Sequence, residues 1–394
     1  MPRKQTRNAQ GSGTIRKYND KLWQGRFTIG RDPGTGKQIQ RSVYGKTQAE
    51  VREKMTEILA SLDKGTYIEP SRLTVGEWLD TWLNDYCVDI KSNTLSTYQT
   101  QIEQHLKPAF GAMLLSEVHP HYIQRFYIGL LRNAEHPLSE KSIKNIHGIF
   151  HRALKQAVLL RYIAVNPADS VQLPRVQKKD IRPLEKEQVS AFLTAIKGSD
   201  YETALTVALF TGVRQGELIG LSWDRVDFKQ GTILIDRQMI LDRNTHTYML
   251  APTKTDTTRK IKPAPLVMRT LAQQRTKQMQ QRLMAGELWN EGAFAGVGLV
   301  FTNAFGAHLC PNTLTHNVRK IGERIGIQGL RFHDLRHTYA VLALLAGDDL
   351  KTVSASLGHS TITTTADIYM AYTDDMKNDS SARMEALING ISNL

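Results

Sequence analysis

A proline-flanked stretch between residues 173 and 183 constrains the fold of this chain more than any other feature. It contains Pro174, Pro183 and a run of cationic and polar residues, and it has neither helical nor strand periodicity. Such a composition is typical of an extended connector between domains. The chain has 394 residues, a length typical of about two to three domains. We therefore predict a linker over 173–183.

The region before this linker predicts two units of different kinds. Residues 1–66 contain three short segments rich in β-branched and aromatic residues, separated by strong turn signals. A capping box from Thr47 to Glu50 then predicts a helix. Residues 70–172 carry apolar residues at helical spacing through four successive segments. We expect a small three-stranded β-sheet plus a helix, followed by an α-helical bundle.

The region after the linker, residues 184–394, predicts a mixed α/β domain that is mostly helical. Four segments between residues 231 and 262 predict one small antiparallel sheet, and one of the helices around it is predicted to end at Gly212. Apolar residues at three- and four-residue spacing predict a short amphipathic helix over 380–392. This tail helix either packs on its own domain or docks on a neighbouring copy. The fold class is therefore multidomain.

The charge of the chain is unevenly distributed. Lys and Arg number 51 against 38 Asp and Glu, a net charge of +13. Within residues 1–46, eleven Lys and Arg stand against two Asp, a net charge of +9. Such an excess favours a polyanionic partner, most often nucleic acid, although a basic, solvated sheet face is the simpler alternative.

A two- or three-stranded ribbon with basic residues fits the major groove of DNA. Basic residues also lie along the last helix of the predicted bundle and within the linker. The candidate DNA-binding residues are Arg16, Lys17, Arg26, Lys37, Arg41, Lys141, Lys144, Arg152, Lys155, Lys178 and Lys179.

Several classes of protein are not favoured. No apolar run approaches the roughly 18 residues of a membrane span, and no apolar segment follows the basic N-terminus as in a signal peptide. Cys87 and Cys310 are far apart and predict neither a disulfide framework nor a zinc site. These features predict a cytosolic protein without a metal.

Four short stretches after the linker carry residues suited to phosphate chemistry. Arg214 follows a glycine at the start of a predicted helix, a location suited to binding an anion. His333 and Arg336 share a helix face, where a guanidinium can clamp two phosphate oxygens while an imidazole transfers a proton. His359 follows a predicted helix-ending glycine, and Tyr369 comes ten residues later.

Each stretch taken alone has a simpler explanation. Arg214 is positioned to form a surface ion pair with Glu217 or Asp224. His333 and His337 have a spacing that suits zinc, although a third ligand is not evident. A histidine in a turn and a half-buried tyrosine are common without any catalytic role.

Together and in this order, the arginine, the His-x-x-Arg pair, the histidine and the tyrosine resemble the constellation of the tyrosine recombinases. The resemblance is to the branch of phage and conjugative-transposon integrases, and it covers nearly the whole chain. Residues 1–66 resemble the arm-type DNA-binding domain of that branch, residues 70–172 the core-binding domain and residues 184–394 the catalytic domain. The resemblance implies a site-specific DNA recombinase that needs neither a metal, nor ATP, nor any other cofactor.

The resemblance also implies a role for each motif residue. Tyr369 would be the nucleophile that forms a 3′-phosphotyrosyl bond. Arg214 and Arg336 would hold the non-bridging phosphate oxygens, and His359 would add a hydrogen bond to them. His333 would exchange a proton with the tyrosine.

Two assignments within the resemblance have competitors. The family places a lysine on a β-hairpin between the two arginines, and Lys254 matches it, with Lys260 and Lys262 as neighbouring alternatives. Family members often carry a histidine two residues after the nucleophile, where this chain has an alanine followed by Tyr372. Glu217 would orient the first arginine.

The implied partners are duplex DNA, with attachment sites of core and arm type, and further copies of the chain in a homotetramer. Whether an excisionase or a host DNA-bending protein takes part stays open. A type IB topoisomerase shares the residue set, but the basic N-terminal unit and the linker argue against it. A DNA-binding regulator with an inert site is the alternative of another class. The predicted location is the bacterial cytoplasm, on DNA.

Overall fold

The computed structural model describes residues 13–64, 67, 72–177, 183–243, 245–253, 258–359 and 361–373, except the side chains of 371–373. Lys178, Lys179, Lys254 and the predicted tail helix over 380–392 lie outside the described residues. The chain divides into two compact units, residues 1–176 and residues 177–394. None of the described helices is both long and apolar enough to span a membrane.

The first unit begins with a three-stranded antiparallel sheet in the order β1-β2-β3. The strands are β1 (Thr14–Asn19), β2 (Leu22–Arg31) and β3 (Gln38–Gly45), and the helix α1 (Gln48–Asp63) follows them. Val51 and Met55 of α1 pack with Phe27 in a small core. A Cβ atom at Gly25 would lie only 2.3 Å from the sulfur of Met55, so this glycine lets the helix approach the sheet closely.

The two faces of this sheet separate the basic residues predicted for DNA contact. Strand residues alternate between faces, so Arg26, beside the helix-facing Gly25 and Phe27, lies on the open face. Arg16 shares that face because it is paired with Gln24. Lys17, paired with Trp23, and Arg41, paired with Phe27, lie on the helix side. Lys37 lies just before β3.

A helical bundle completes the first unit. Its helices are α2 (Val75–Asp85), α3 (Ser92–Gln101), α4 (Lys107–Phe110), α5 (Pro120–Leu131) and α6 (Glu140–Leu159). Trp78 of α2 is fully buried and donates a hydrogen bond from Nε1 to the carbonyl of Ala153 in α6 at 3.0 Å. This bond joins the first and last helices of the bundle through its core.

The exposed side of α6 carries a basic stripe. At about 100° per residue, Lys141, Lys144, Arg152 and Lys155 fall on one face, and all four are exposed. Gly148 lies within this stripe, and open space surrounds the position that a Cβ atom would occupy there. Arg152 also donates a hydrogen bond to the hydroxyl of Tyr98.

The predicted single sheet of the second unit is wrong, because the strands form two separate sheets. The first contains β4 (Val226–Asp227), β5 (Thr232–Ile235) and β8 (Arg259–Ile261), and the second contains β6 (Arg237–Asp242) and β7 (Thr247–Pro252). The break falls at Asp236, whose carboxylate accepts hydrogen bonds from Arg225 at 2.8 Å and Arg237 at 3.1 Å. These bonds hold the chain between β5 and β6, and β6 pairs with β7 instead.

The second unit also contains eight described α-helices. They are α7 (Lys186–Ile196), α8 (Glu202–Thr211), α9 (Gln215–Ile219), α10 (Pro265–Ala285), α11 (Pro311–Arg324), α12 (Phe332–Leu345), α13 (Leu350–Leu357) and α14 (Ile362–Thr373). The central helix α8 is buried along most of its length. It ends at Gly212, which has a φ of +63°. A Cβ atom there would lie 2.5 Å from both Leu357 and Tyr339, so the turn that leads to Arg214 requires glycine.

Candidate active site

Arg214 stands at the N-terminal end of α9, where Glu217 holds it. The carboxylate of Glu217 accepts hydrogen bonds from the backbone N–H of Arg214 at 2.9 Å and from its Nη1 at 2.8 Å. The side chain of Glu217 is completely buried, whereas that of Arg214 is 22% exposed. The capping contact thus fixes the arginine while leaving part of its guanidinium open to solvent.

Arg259, for which the sequence motifs predict no role, binds the same carboxylate. Its Nη2 lies 2.6 Å from Oε2 of Glu217, and its Nη1 lies 3.1 Å from Oε1. Burial would raise the pKa of Glu217, but hydrogen bonds and charge from Arg259, followed by the bonds from Arg214, lower it to about 2. The alternation of strand residues could have indicated that Arg259 faces inward. It lies two residues before the apolar Ile261 on β8, and residues two apart on a strand share a face.

Arg336 lies deeper than Arg214 and is 2% exposed. Its Nη1 donates to the carbonyl of Gly212, and its Nη2 donates to the carbonyl of Leu357, each at 2.7 Å. Burial and the charge of Arg214 lower the pKa of Arg336 to about 9, so it remains cationic at neutral pH. Among the described residues, none accepts a hydrogen bond from its buried Nε. An unsatisfied buried donor of this kind costs about 1–3 kcal/mol, so an acceptor that reached it would be bound favourably.

Three arginines converge on the C-terminal end of α13. Arg259 donates to the carbonyl of Ser356 at 2.8 Å, Arg336 to that of Leu357 at 2.7 Å and Arg214 to that of Gly358 at 2.9 Å. The last carbonyls of a helix have no partner within the helix and form the negative end of its dipole. The helix end therefore offsets part of the repulsion between the three cations.

His359 follows this helix end directly. Its Nδ1 lies 2.9 Å from the hydroxyl of the fully buried Thr365 on α14. Burial and then the charges of Arg336 and Arg214 lower the pKa of His359 to about 3. The imidazole is therefore neutral at physiological pH. When Thr365 donates to Nδ1, the ring proton is on Nε2 and can be donated to a phosphate oxygen.

Two histidines of α12 lie next to this cluster. The rings of His333 and His337 stand 4.6 Å apart and nearly perpendicular. His333 is exposed, yet surrounding protein atoms partly desolvate its ring, and this effect and Arg336 lower its pKa. Burial and then His333 lower the pKa of His337 to about 4. Both rings are neutral near pH 7, so His333 can accept a proton there.

Tyr369 lies on α14, which packs on both α12 and α13. Its neighbour Ile368 is fully buried, while Tyr369 itself is half-buried. The same helix carries Thr365, whose hydroxyl contacts the ring of His359. The side chain of the competing Tyr372 lies outside the described set.

Of the three candidate hairpin lysines, Lys260 and Lys262 are described, and Lys254 lies outside the described residues. Lys260 donates to the amide oxygen of Gln230 at 2.6 Å and is exposed, and Lys262 is exposed as well. Lys260 alternates with the inward-facing Arg259 and Ile261, so it lies on the opposite side of β8.

Comparisons with known proteins converge on one family. The model of the phage integrase family matches residues 182–376, and the model described as phage integrase, N-terminal SAM-like domain, matches residues 74–131. A tyrosine recombinase XerC-like protein of Caldanaerobacter subterraneus subsp. tengcongensis is 30% identical over 87% of this chain and 90% of its own length. An integrase of Saccharopolyspora erythraea is 26% identical over 98% of both chains.

Two solved structures share the fold. The Tn1549 transposon integrase in complex with a circular intermediate DNA has a TM-score of 0.64 and 20% identity, and it covers 78% of this chain and 99% of its own. A lambda integrase tetramer bound to a Holliday junction has a TM-score of 0.53 and 18% identity, covering 89% of this chain and 96% of its own. Both likenesses extend well beyond the region that contains the arginine cluster.

Proposed function

This chain belongs to the phage integrase family of tyrosine recombinases, and we propose that it is a site-specific recombinase that integrates and excises a mobile element. Its substrate is duplex DNA at the attachment sites of that element, in the bacterial cytoplasm. The observation that carries the proposal is the arginine cluster. Arg336 is buried and cationic with an unsatisfied Nε–H, and the partly open Arg214 and the neutral His359 lie at the same helix end.

The proposed reaction is a transesterification without hydrolysis. The phenolic oxygen of Tyr369 forms a bond to a backbone phosphorus while the bond from that phosphorus to the 5′-oxygen breaks. His333 takes the tyrosine proton, and Lys254 gives a proton to the leaving 5′-oxygen. Arg214 and Arg336 stabilise the negative charge of the transition state. A 5′-hydroxyl from another strand then reverses the steps, so neither ATP nor a metal is required.

Strand exchange needs more than one copy of the chain. We propose that four copies act together through a Holliday junction, with two active at a time. The lambda integrase tetramer that shares this fold was solved on such a junction. The two alternatives, relaxation of DNA by a type IB topoisomerase and regulation by an inert DNA-binding protein, each predict a different outcome on defined DNA.

A nicked duplex from the ends of the element tests the reaction. Cleavage next to the nick releases a short strand, so a covalent adduct should accumulate and map to Tyr369. An inert regulator would bind this DNA without forming the adduct. When a second, intact duplex is supplied, a recombinase joins strands between the two duplexes, whereas a topoisomerase reseals only the original one. Absence of joining between duplexes would contradict the recombinase assignment.

We propose that the N-terminal sheet binds a second, arm-type class of DNA sites through its open face. Gln24 in the middle strand is 4% exposed, and its amide nitrogen donates to Ser42 at 3.0 Å and to Tyr44 at 2.9 Å. Its amide oxygen accepts a hydrogen bond from Nε of Arg16 at 3.0 Å. The end of the Arg16 guanidinium therefore remains available to a base edge or a phosphate. Arg26 lies beside it on the same face.

Removing residues 1–64 should abolish binding to arm-type sites and preserve cleavage of core sites. Within the full chain, Arg16→Ala and Arg26→Ala should each weaken arm binding and reduce its salt slope by about one, because each removes one cation from the DNA face. Arg41→Ala, on the helix side of the same sheet, is the matched control. Gel shifts over a salt series measure both quantities. Equal effects of the three substitutions would contradict the assignment of the open face.

A further inference from the structure

Arg259 is one of the three arginines of the cluster, yet the proposed reaction does not use it. We infer that Arg259 is a positioning residue for strand cleavage, which holds Glu217 and the last turn of α13 in place and thereby sets Arg214 and His359. It acts without touching the phosphate. This inference rests on the proposed recombinase function.

The hydrogen bonds of Arg259 are directed into the protein. Its two Nη atoms bind the two oxygens of Glu217 at 3.1 and 2.6 Å, the paired geometry that only a planar guanidinium provides. Its Nε binds the carbonyl of Ser356 at 2.8 Å. The side chain is 9% exposed. With all three nitrogens bound to protein atoms, the residue is suited to holding neighbours rather than to binding substrate.

On one side, Arg259 shares a carboxylate with Arg214. Oε1 of Glu217 accepts from Nη1 of both arginines, and Oε2 accepts from Nη2 of Arg259 and from the backbone N–H of Arg214. Without Arg259, each oxygen would lose one donor inside the protein. Glu217 would then be free to rotate or to protonate, and the orientation of Arg214 would no longer be fixed.

On the other side, Arg259 supports the turn that precedes His359. It binds the carbonyl of Ser356, the first of the three successive carbonyls that each accept a hydrogen bond from one arginine. It also packs against Gly358, where a Cβ atom would lie 3.1 Å from Nη1 of Arg259. Gly358 has a φ of +67°. The turn therefore depends on glycine for its backbone conformation and on Arg259 for support from below.

Three single variants of the full chain separate positioning from folding. Arg259→Met removes the charge and all three hydrogen bonds. Arg259→Lys keeps the charge but loses the paired geometry. Arg319→Met is the control, because Arg319 is an exposed arginine that pairs with Glu323 one helical turn away. The measurements are single-turnover adduct formation on the nicked duplex, gel-shift affinity and thermal melting.

Adduct formation should slow by about 10- to 100-fold in Arg259→Met, by analogy with the loss of a partner that orients a metal ligand. Arg259→Lys should fall between this variant and the wild type, and Arg319→Met should match the wild type. Core-site affinity should change little in any of them. A wild-type rate in both Arg259 variants would overturn the inference, whereas a wild-type chain that forms no adduct would instead defeat the proposed function.

The pH profile supplies a readout that a merely structural role would not change. The charged groups facing Glu217 are Arg214, Arg259 and the nearby Arg336. Loss of Arg259 removes the largest influence that lowers the pKa of Glu217, so this pKa should rise from about 2. In Arg259→Met the rate should therefore fall further toward acidic pH than it does in the wild type, as this carboxylate protonates. The double variant Arg259→Met with Glu217→Gln cannot titrate there and should lose this extra pH dependence. A profile for Arg259→Met that is only scaled down, with the wild-type shape, would show a structural role alone and overturn the inference.

Discussion

Tyr369→Phe is expected to abolish covalent attachment to DNA while leaving the affinity for duplex sites unchanged. The substitution removes only the hydroxyl oxygen that would bond to phosphorus, and it keeps the ring on α14, where Ile368 and Thr365 are fully buried. Adduct formation on the nicked duplex measures the first effect, and a gel shift with the same DNA measures the second.

Tyr372→Phe is the matched control for this experiment, since it makes the same chemical change three residues further along the helix. It should cleave as the wild type does. If Tyr372→Phe loses the adduct and Tyr369→Phe retains it, the nucleophile has been assigned to the wrong tyrosine.

The second large effect is expected from the two arginines that would hold the phosphate. Arg214→Ala and Arg336→Ala should each slow adduct formation by about 10²–10³-fold, on the order of 3–4 kcal/mol, as removal of a preorganised donor to a transition state typically does. Single-turnover rates on the nicked duplex provide the measurement. A rate within about tenfold of the wild type would contradict the role of that arginine.

Arg336 requires a further control because it also holds two backbone carbonyls inside the protein. Arg336→Ala leaves both carbonyls without their donor, so a lower melting temperature should accompany the slower rate. Arg336→Lys keeps the charge and most of the side-chain volume. It should melt closer to the wild type and still cleave slowly, because one ammonium group cannot replace the planar fork of a guanidinium.

Local patterns in the sequence could predict much of this site because local chemistry places most of its residues. Gly212 and Gly358 both adopt the left-handed conformation that ends a helix, and each precedes a site residue by one or two positions. His333 and Arg336 are three apart, which places them on neighbouring positions of α12. Such relations need only helical geometry.

Other features depend on contacts between distant parts of the chain and could not be predicted in this way. Arg259 meets Glu217 across 42 residues, and no local pattern joins the two. The division into two sheets falls at Asp236, which binds both its neighbour Arg237 and Arg225, 11 residues earlier in the chain. The face of the sheet on which Lys17 and Arg41 lie depends on the strand register. A shift of one residue would move both side chains to the other face.

The arginines of this site donate hydrogen bonds to backbone carbonyls, and these bonds couple the activity of the site to the stability of the fold. In many enzymes the groups that react are poorly satisfied in the resting protein, so their removal stabilises the fold at the expense of activity. Here the same guanidiniums that would receive the phosphate hold the end of α13, and their removal should weaken both. A substitution at one of these arginines should therefore lower the stability of the fold together with the rate of the reaction.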